Sequence, residues 1–278
     1  MSQTEAKVGS HYADTSFEER VIEALRAAGK NPDNLQIEDL TPFDQFHAGG
    51  RDATIALANL AGVSQGMNVL DVGGGVGGPA RTLASEFGAQ VTVLDLSPEF
   101  VKLGERLGRA TGLSDQVSFK LGSALEMPFE DASFELVWTQ HSSMNIEDKE
   151  TLYREAKRVL KAGGRLAIHE ILAGPTQPIH FPAPWAGEPS ISFLRTPSET
   201  RDVIRAAGFK EVAWKDVTEE ARAFVRQRAE AAAAGSAEEP GVGLPLIMGA
   251  DAQPKLANLG RNLAEDRLAL IQAVFDAS

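Results

Sequence analysis

Cysteine is absent from this 278-residue chain, which removes disulfides, thiolate nucleophiles and cysteine-bearing zinc sites together and fits a reducing compartment. Aromatic side chains are scarce at 6%, so a large ring cage around a methylated cation has little to be built from. Basic residues are outnumbered, with 27 Lys and Arg against 39 Asp and Glu. A formal charge of −12 repels a phosphate backbone, so nucleic acid is not an expected partner. No window approaches the roughly 20 apolar residues of a membrane span. Residues 1–12 have neither the basic start nor the apolar stretch of a signal peptide. These absences predict a soluble, cytoplasmic chain with no membrane partner. What is present is ordinary globular composition, 43% apolar and 24% charged, long enough for one large domain or one domain with a cap.

Ser16 and Glu19 have the spacing of a capping box, opening a short amphipathic helix through Val21, Ile22 and Leu25 that stops at Gly29. From Met67 onward, strand-like apolar runs alternate with helical ones, the signature of a parallel sheet covered by helices. Strands are expected near 67–72, 90–95, 116–120, 133–139, 164–172 and 210–216, with helices near 77–88, 98–111, 148–160 and 197–207. The helix from Asp148 carries one apolar stripe of Leu152, Tyr153, Ala156, Val159 and Leu160, ended by Lys161-Ala162-Gly163-Gly164. Residues 218–235 read as a helix, 235–243 as a loop carrying Pro240, and Leu256, Leu259 and Leu263 as the face of a further helix. The dense apolar run 268–275 is expected to be a final strand.

Chemistry concentrates in Val69-Leu70-Asp71-Val72-Gly73-Gly74-Gly75-Val76-Gly77-Gly78, a strand running into a glycine turn and then a helix. So tight a turn needs backbone angles that a Cβ hinders, and bare backbone lets a ligand lie against the peptide. Asp95 follows Gly75 by 20 residues, at the end of the next strand, where a carboxylate can accept both hydroxyls of a ribose. A nucleoside site results. Gly73, Gly75 and Gly78 also satisfy the dinucleotide pattern G-x-G-x-x-G, so an NAD-dependent oxidoreductase is a rival reading. Tyr153 and Lys157 even mimic a Tyr-x-x-x-Lys dehydrogenase pair, but Tyr153 belongs to the apolar stripe and reads as core. Asp71, two residues before the first glycine, suits a ligand carrying an ammonium better than one carrying a pyrophosphate.

At this point the chain resembles the class I S-adenosylmethionine-dependent methyltransferases. Four blocks carry the likeness in order: 69–80, Val93-Leu94-Asp95-Leu96-Ser97, 122–129, and 158–166. Phe46-His47-Ala48-Gly49-Gly50-Arg51-Asp52-Ala53-Thr54 is similar to the segment that precedes the core in the sarcosine, phosphoethanolamine and tocopherol group. The resemblance implies a doubly wound, Rossmann-like α/β fold of seven strands, the last antiparallel, with an α-helical cap. The expected division is an N-terminal helical lid at 1–64, a cofactor-binding core at 65–216, a helical cap insert at 217–265 and a final strand at 266–278. It implies S-adenosyl-L-methionine cradled by Gly73, Gly75 and Gly77, its ribose on Asp95, and its adenine beside Leu96, Ser123 and Ala124. Asp71 and His47 are placed at the methionine end, and Gln140 is a further expected cofactor-binding residue. Many relatives carry Asp where Ser123 stands; serine accepts without charge.

Methyl transfer is an in-line displacement, so most of the rate can come from holding the nucleophile in a site closed to water. A base is needed only where the acceptor must lose a proton. His141 is the first candidate, with hydrogen bonding to the cofactor or backbone as its plainer role, and Glu170 the second, with a capping or surface role equally open. Asn145 reads first as a helix cap. His141, His169 and Glu170 gathering around a divalent ion is a minor reading, and no metal is expected. Phe181, Trp185 and Phe193 read equally as an acceptor-pocket wall or as satellite core. The expected partner is a small organic acceptor, methylated on oxygen, nitrogen or carbon; pairing with a second copy is left open. A non-catalytic nucleoside-binding module is the remaining alternative.

Overall fold

The structure, a computed structural model, describes residues 3–12, 16–233, 242–249 and 251–277. Four helices come first: α1 (Gln3–Tyr12), α2 (Phe17–Ala27), α3 (Ile37–Asp44) and α4 (Gly50–Ala61). Strand and helix then alternate through β1 (Asn68–Val72), α5 (Gly78–Phe87), β2 (Gln90–Asp95), α6 (Pro98–Ala110), β3 (Val117–Leu121), β4 (Phe134–Gln140), α7 (Lys149–Val159), β5 (Leu160–Ala173), α8 (Pro197–Ala206) and β6 (Phe209–Asp216). Three helices, α9 (Thr218–Ala233), α10 (Pro245–Met248) and α11 (Ala252–Ala264), intervene before β7 (Leu268–Ala277). The loop expected at 235–243 lies largely outside the described residues.

The seven strands form one sheet in the order β3-β2-β1-β4-β5-β7-β6, with β7 antiparallel to both β5 and β6. The doubly wound expectation and its antiparallel final strand are therefore observed. Strand order reverses between β1 and β4, and the carboxyl ends there open a crevice in which ligands of such sheets sit.

Period-two alternation decides the two faces. Leu70 and Val72 pack against Leu152, Tyr153, Ala156 and Val159 of α7 and Val203 and Ile204 of α8. Val69, Val91 and Val93 turn to the other side, onto Leu57 and Ala58 of α4 and Ala80 and Leu83 of α5. Each fully buried aliphatic side chain of this kind contributes about 1.5–3 kcal/mol of transfer free energy. A third cluster joins Val21 and Leu25 of α2, Leu40 and Phe43 of α3, and Leu103 and Leu107 of α6. A fourth joins Met144 and Trp185 to Ala221 of α9 and Leu263 of α11, fixing the cap on the sheet's end.

Two local expectations are corrected. Ser16 does not form a capping box: its backbone is already helical at φ −92° and ψ 0°, and its side chain makes no cap bond. The hydroxyl accepts from Arg20 Nη1 at 2.8 Å instead. The segment 161–164 does not terminate a helix but enters β5, which starts at Leu160, because Leu160 pairs with Phe134 across the sheet.

Candidate active site

A cavity of about 1070 Å³ lies over the carboxyl ends of β1, β2 and β4. The glycine turn forms its floor. Gly73 N–H donates to Leu94 O at 2.7 Å, continuing the β1–β2 pairing one residue into the turn. Gly73 has φ +72°, and a Cβ there would sit 2.5 Å from Ser142 Cβ; one at Gly74 would sit 2.5 Å from the Asp71 carboxylate. Gly75, at φ +57°, differs: a Cβ would meet nothing nearer than Phe100 at 3.9 Å, so its bare face is open to the cavity. Gly77 does not line the cavity. It is glycine because a Cβ would lie 2.6 Å from Phe119 and because φ is +82°, so its expected contact with the ligand gives way to packing of α5 against β3; Gly74 lines the cavity in its place.

Asp71 and Asp95 flank this turn with opposite environments. Asp95 Oδ2 accepts from Gly75 N–H at 2.9 Å and Oδ1 from Ser97 N–H at 2.9 Å. Burial raises its pKa, opposed by backbone N–H groups of Ser97, Gly75 and Leu96. A carboxylate has about four acceptor positions, so acceptor capacity remains beside these backbone bonds for a ligand hydroxyl. Asp71 is buried, 1% exposed, and neither of its oxygens has a hydrogen-bond partner. Burial, with the Asp95 charge second, lifts its pKa from 3.8 to about 7. An orphaned carboxylate in a cavity wall is an unfilled socket for a cation.

Around the β4 terminus a polar network replaces the apolar core. Gln140 Oε1 accepts from the Trp138 indole N–H at 3.2 Å and from the Thr54 hydroxyl at 3.2 Å. An indole nitrogen only donates, which fixes the amide orientation. Gln140 Nε2 then donates to Nδ1 of His47 at 3.0 Å and of His169 at 3.2 Å. Both rings therefore carry their proton on Nε2, and His47 passes it toward Gln45 Oε1 at 3.2 Å. Burial pulls His47 down to about 4 and His169 to about 3. His141 stands beside them, its ring 4.7 Å from His169 and 6.0 Å from His47. Burial, then the two neighbouring imidazoles, hold it well below 6.5, so all three rings are neutral. His141 has φ +51°, a left-handed conformation that a non-glycine residue adopts only when its surroundings hold it there. Its Nε2 is buried without a partner, and the residue lines the cavity.

His47, Asp71, Gly73, Gly75, Asp95, Leu96, Ala124, Gln140 and His141 all line the one cavity. Glu170 does not. It is wholly buried, accepts from the Thr139 hydroxyl at 2.6 Å and Ser143 N–H at 3.2 Å, and lies close enough to the Lys149 ammonium for their charges to interact. It braces the turn that follows β4 from behind, and the reading of Glu170 as a base is withdrawn. Ser123 also leaves the lining: its hydroxyl donates to the carboxylate of Glu5 on α1 and accepts from Leu125 N–H at 3.0 Å. Glu5 itself lines the cavity. Asn145 staples the loop instead of capping α7, donating to Trp185 O at 2.9 Å and Ile191 O at 2.8 Å; Asp148 is the cap. Trp185 is both cavity wall and core, Phe181 packs on that core, and Phe193 lines no part of the cavity. Tyr153 is sealed in the α7 core, while Lys157 donates to Gly208 O at 3.1 Å, so the dehydrogenase-like pair is a packing feature.

Four contributors carried no local sequence signal. Glu5 and Thr4 reach the site from α1, Thr4 donating to Glu147 Oε2 at 3.0 Å. Asp44 is paired with Arg81 at 2.7 Å, both fully buried, and Arg81 also donates to Val76 O at 2.8 Å. That pair ties the segment before α4 to the glycine turn.

The methyltransferase domain family profile matches residues 70–168. The methyltransferase GfsG of Streptomyces halstedii is 39% identical over 134 residues, 48% of each chain. Sarcosine/dimethylglycine N-methyltransferase of Halorhodospira halochloris is 31% identical over 150 residues, 54% of each. Each match thus covers about half of the relative's length. The solved geranyl diphosphate C-methyltransferase of Streptomyces coelicolor A3(2) superposes with a TM-score of 0.68 over all of this chain and 98% of that one, at 15% identity, a likeness of fold. The sheet order, the glycine turn and this profile match define a Rossmann-like methyltransferase domain. Residues 70–168 match the profile of a methyltransferase domain, and the surrounding sheet has the fold of the superposed enzyme.

Proposed function

We propose that the protein moves a methyl group from S-adenosyl-L-methionine to an oxygen, nitrogen or carbon of a small organic molecule. The observation that carries this is Asp71, a buried carboxylate with two unpartnered oxygens beside bare glycine backbone. That socket matches the ammonium of an amino acid and has no use for a pyrophosphate, which disfavours the NAD reading. Asp95 would hold the ribose hydroxyls. Leu96, Gly122 and Ala124 line an apolar slot for adenine, and Glu5, at that end, offers a carboxylate to the exocyclic amine.

When bound, the donor supplies an electrophilic methyl on a sulfonium. The chain's own work is positioning and proton handling. His47, Gln140 and His169, locked by Trp138 and Thr54, keep the wall behind the methionine end rigid. Their neutrality avoids like-charge repulsion with a sulfonium. His141 Nε2 would take the acceptor's proton, and the crowding by two further imidazoles makes that proton easy to release afterwards.

The test is incubation with methyl-tritiated donor and pools of organic metabolites, followed by chromatography. Label is expected in an acceptor. His141→Ala should slow transfer by about 10²–10⁴-fold while S-adenosylhomocysteine affinity stays within about threefold. Binding of S-adenosylhomocysteine with no labelled product from any pool would leave a non-catalytic module; binding of NADH in its place would restore the oxidoreductase.

A further inference from the structure

We infer that the methyl acceptor is an extended, largely apolar molecule bearing neither phosphate nor carboxylate, seated between the glycine turn and the α9–α11 cap; this rests on the methyl-donor reading above. The first observation is capacity. About 1070 Å³ is at the top of the roughly 300–1,000 Å³ of ligand pockets, and the lining runs from Asp71 and Asp95 to the α9–α11 cap, so a nucleoside at the first end leaves room toward the cap. The second is its surface. Val225, Leu244, Ile247, Met248, Leu256 and Leu259 of the cap line it, facing Phe46, Met144 and Trp185 from the core side. Among described cap residues only Arg228 and Gln253 add polar side chains to the lining.

The third is charge, and it decides the class. Of the acidic residues that line the cavity, Glu5, Asp71 and Asp95 lie at the donor end and Asp44 is paired with Arg81, which leaves Glu147 and Asp148 for the acceptor, whereas Arg228 is the single lysine or arginine in the lining. All 27 Lys and Arg of the chain lie among the described residues, so no further lysine or arginine completes an anion site. Arg228 itself stacks over Phe224 at 5.6 Å. Phosphate and carboxylate groups are ordinarily held by guanidinium forks, lysines or free helix N–H groups; the α7 N-terminus beside Glu147 is capped by Asp148, which accepts from Thr151 N–H at 2.8 Å, while α11 starts at the cavity without a side-chain cap. An anionic head group would enter beside Glu147 and Asp148 with Arg228 as the single side-chain cation to offset them. An apolar skeleton meets no such penalty.

The experiment uses a matched pair, geraniol and geranyl diphosphate, with one skeleton and opposite heads. Calorimetric titration with S-adenosylhomocysteine comes first; if wild-type protein fails to bind it, the donor reading fails and this inference falls with it. The loaded protein is then titrated with each probe. Geraniol is expected to bind saturably and at least tenfold more tightly than geranyl diphosphate. Leu256→Asp should weaken geraniol at least tenfold while leaving S-adenosylhomocysteine affinity unchanged, which also reports that the variant is folded. Equal or tighter binding of the diphosphate overturns the inference, as does failure of geraniol to bind the loaded protein.

Discussion

Asp71→Asn tests the socket. In the empty cleft the carboxyl titrates near 7 against an ordinary 3.8, so ionising it there costs about 4 kcal/mol at about 1.4 kcal/mol per pH unit. The folded protein therefore binds more protons than the unfolded chain between those values. Its contribution to stability is fully present below 3.8 and is lost as pH rises through about 7. Asparagine cannot ionise but leaves its own amide without partners, a penalty of about 1–3 kcal/mol. The variant should thus gain about 1–3 kcal/mol over wild type at pH 8 without ligand. Ligand binding runs the other way. An ammonium beside Asp71 demands the ionised form, so the complex must expel the proton: about 0.9 per ligand at pH 6, about 0.5 at pH 7 and about 0.1 at pH 8. Calorimetry of S-adenosylhomocysteine in buffers of different ionisation enthalpy counts those protons. Wild-type affinity should rise with pH and level off near 8. Asp71→Asn should bind about 10–150-fold more weakly at pH 8, the loss of one charged hydrogen-bond set at about 1.5–3 kcal/mol, with no proton release. PH-independent wild-type affinity, or the same proton count in the variant, would refute the assignment.

Gly75→Ala places a side chain on bare backbone at φ +57°, and Gly112→Ala does so at φ +70° in open space. Both should cost about 1–2 kcal/mol in urea denaturation, yet only Gly75→Ala should weaken S-adenosylhomocysteine, by tenfold or more. His169, held near 3 by burial, is neutral when folded and protonated when unfolded below 6.5, so its stabilisation is present above 6.5 and lost as pH falls toward 3. His169→Asn, which retains an acceptor for Gln140, should remove about 2 kcal/mol of the stability wild type loses between pH 7 and 5; an unchanged pH slope would count against the neutral-imidazole network. Glu170→Ala leaves the buried Thr139 hydroxyl and Ser143 N–H without their acceptor and should lower stability by about 1–3 kcal/mol while Glu170→Gln loses less. A fall in kcat at unchanged stability in both variants would reinstate Glu170 as a base.

Strand and helix positions from 67 to 216 were legible because each rests on a local signal: apolar alternation in β1 and β2, the stripe of α7, the glycines after Val72. The sites at strand ends were legible for the same reason, since Asp71, Asp95 and His141 follow apolar runs at fixed spacing. What could not be read depends on which strands and helices meet. Glu170 and His169 are sequence neighbours on β5 and alternate across it, so one enters the histidine network and the other braces the turn behind it. Ser123 stands at the expected position, but α1 folds over and engages it through Glu5. Gly77 shows the same limit: the backbone angle was foreseeable, whereas the Phe119 ring that fills its Cβ position comes from a different strand.

The claim under everything else is that the glycine turn, Asp71 and Asp95 together seat the methyl donor's amino-acid and ribose ends. A crystal structure of the protein with S-adenosylhomocysteine tests it most directly. The account predicts the ligand's ammonium at hydrogen-bond distance, about 2.7–3.2 Å, from Asp71 and the ribose hydroxyls on Asp95. A vacant crevice at saturating ligand, or a nucleoside bound with Asp71 still unpartnered, would contradict it.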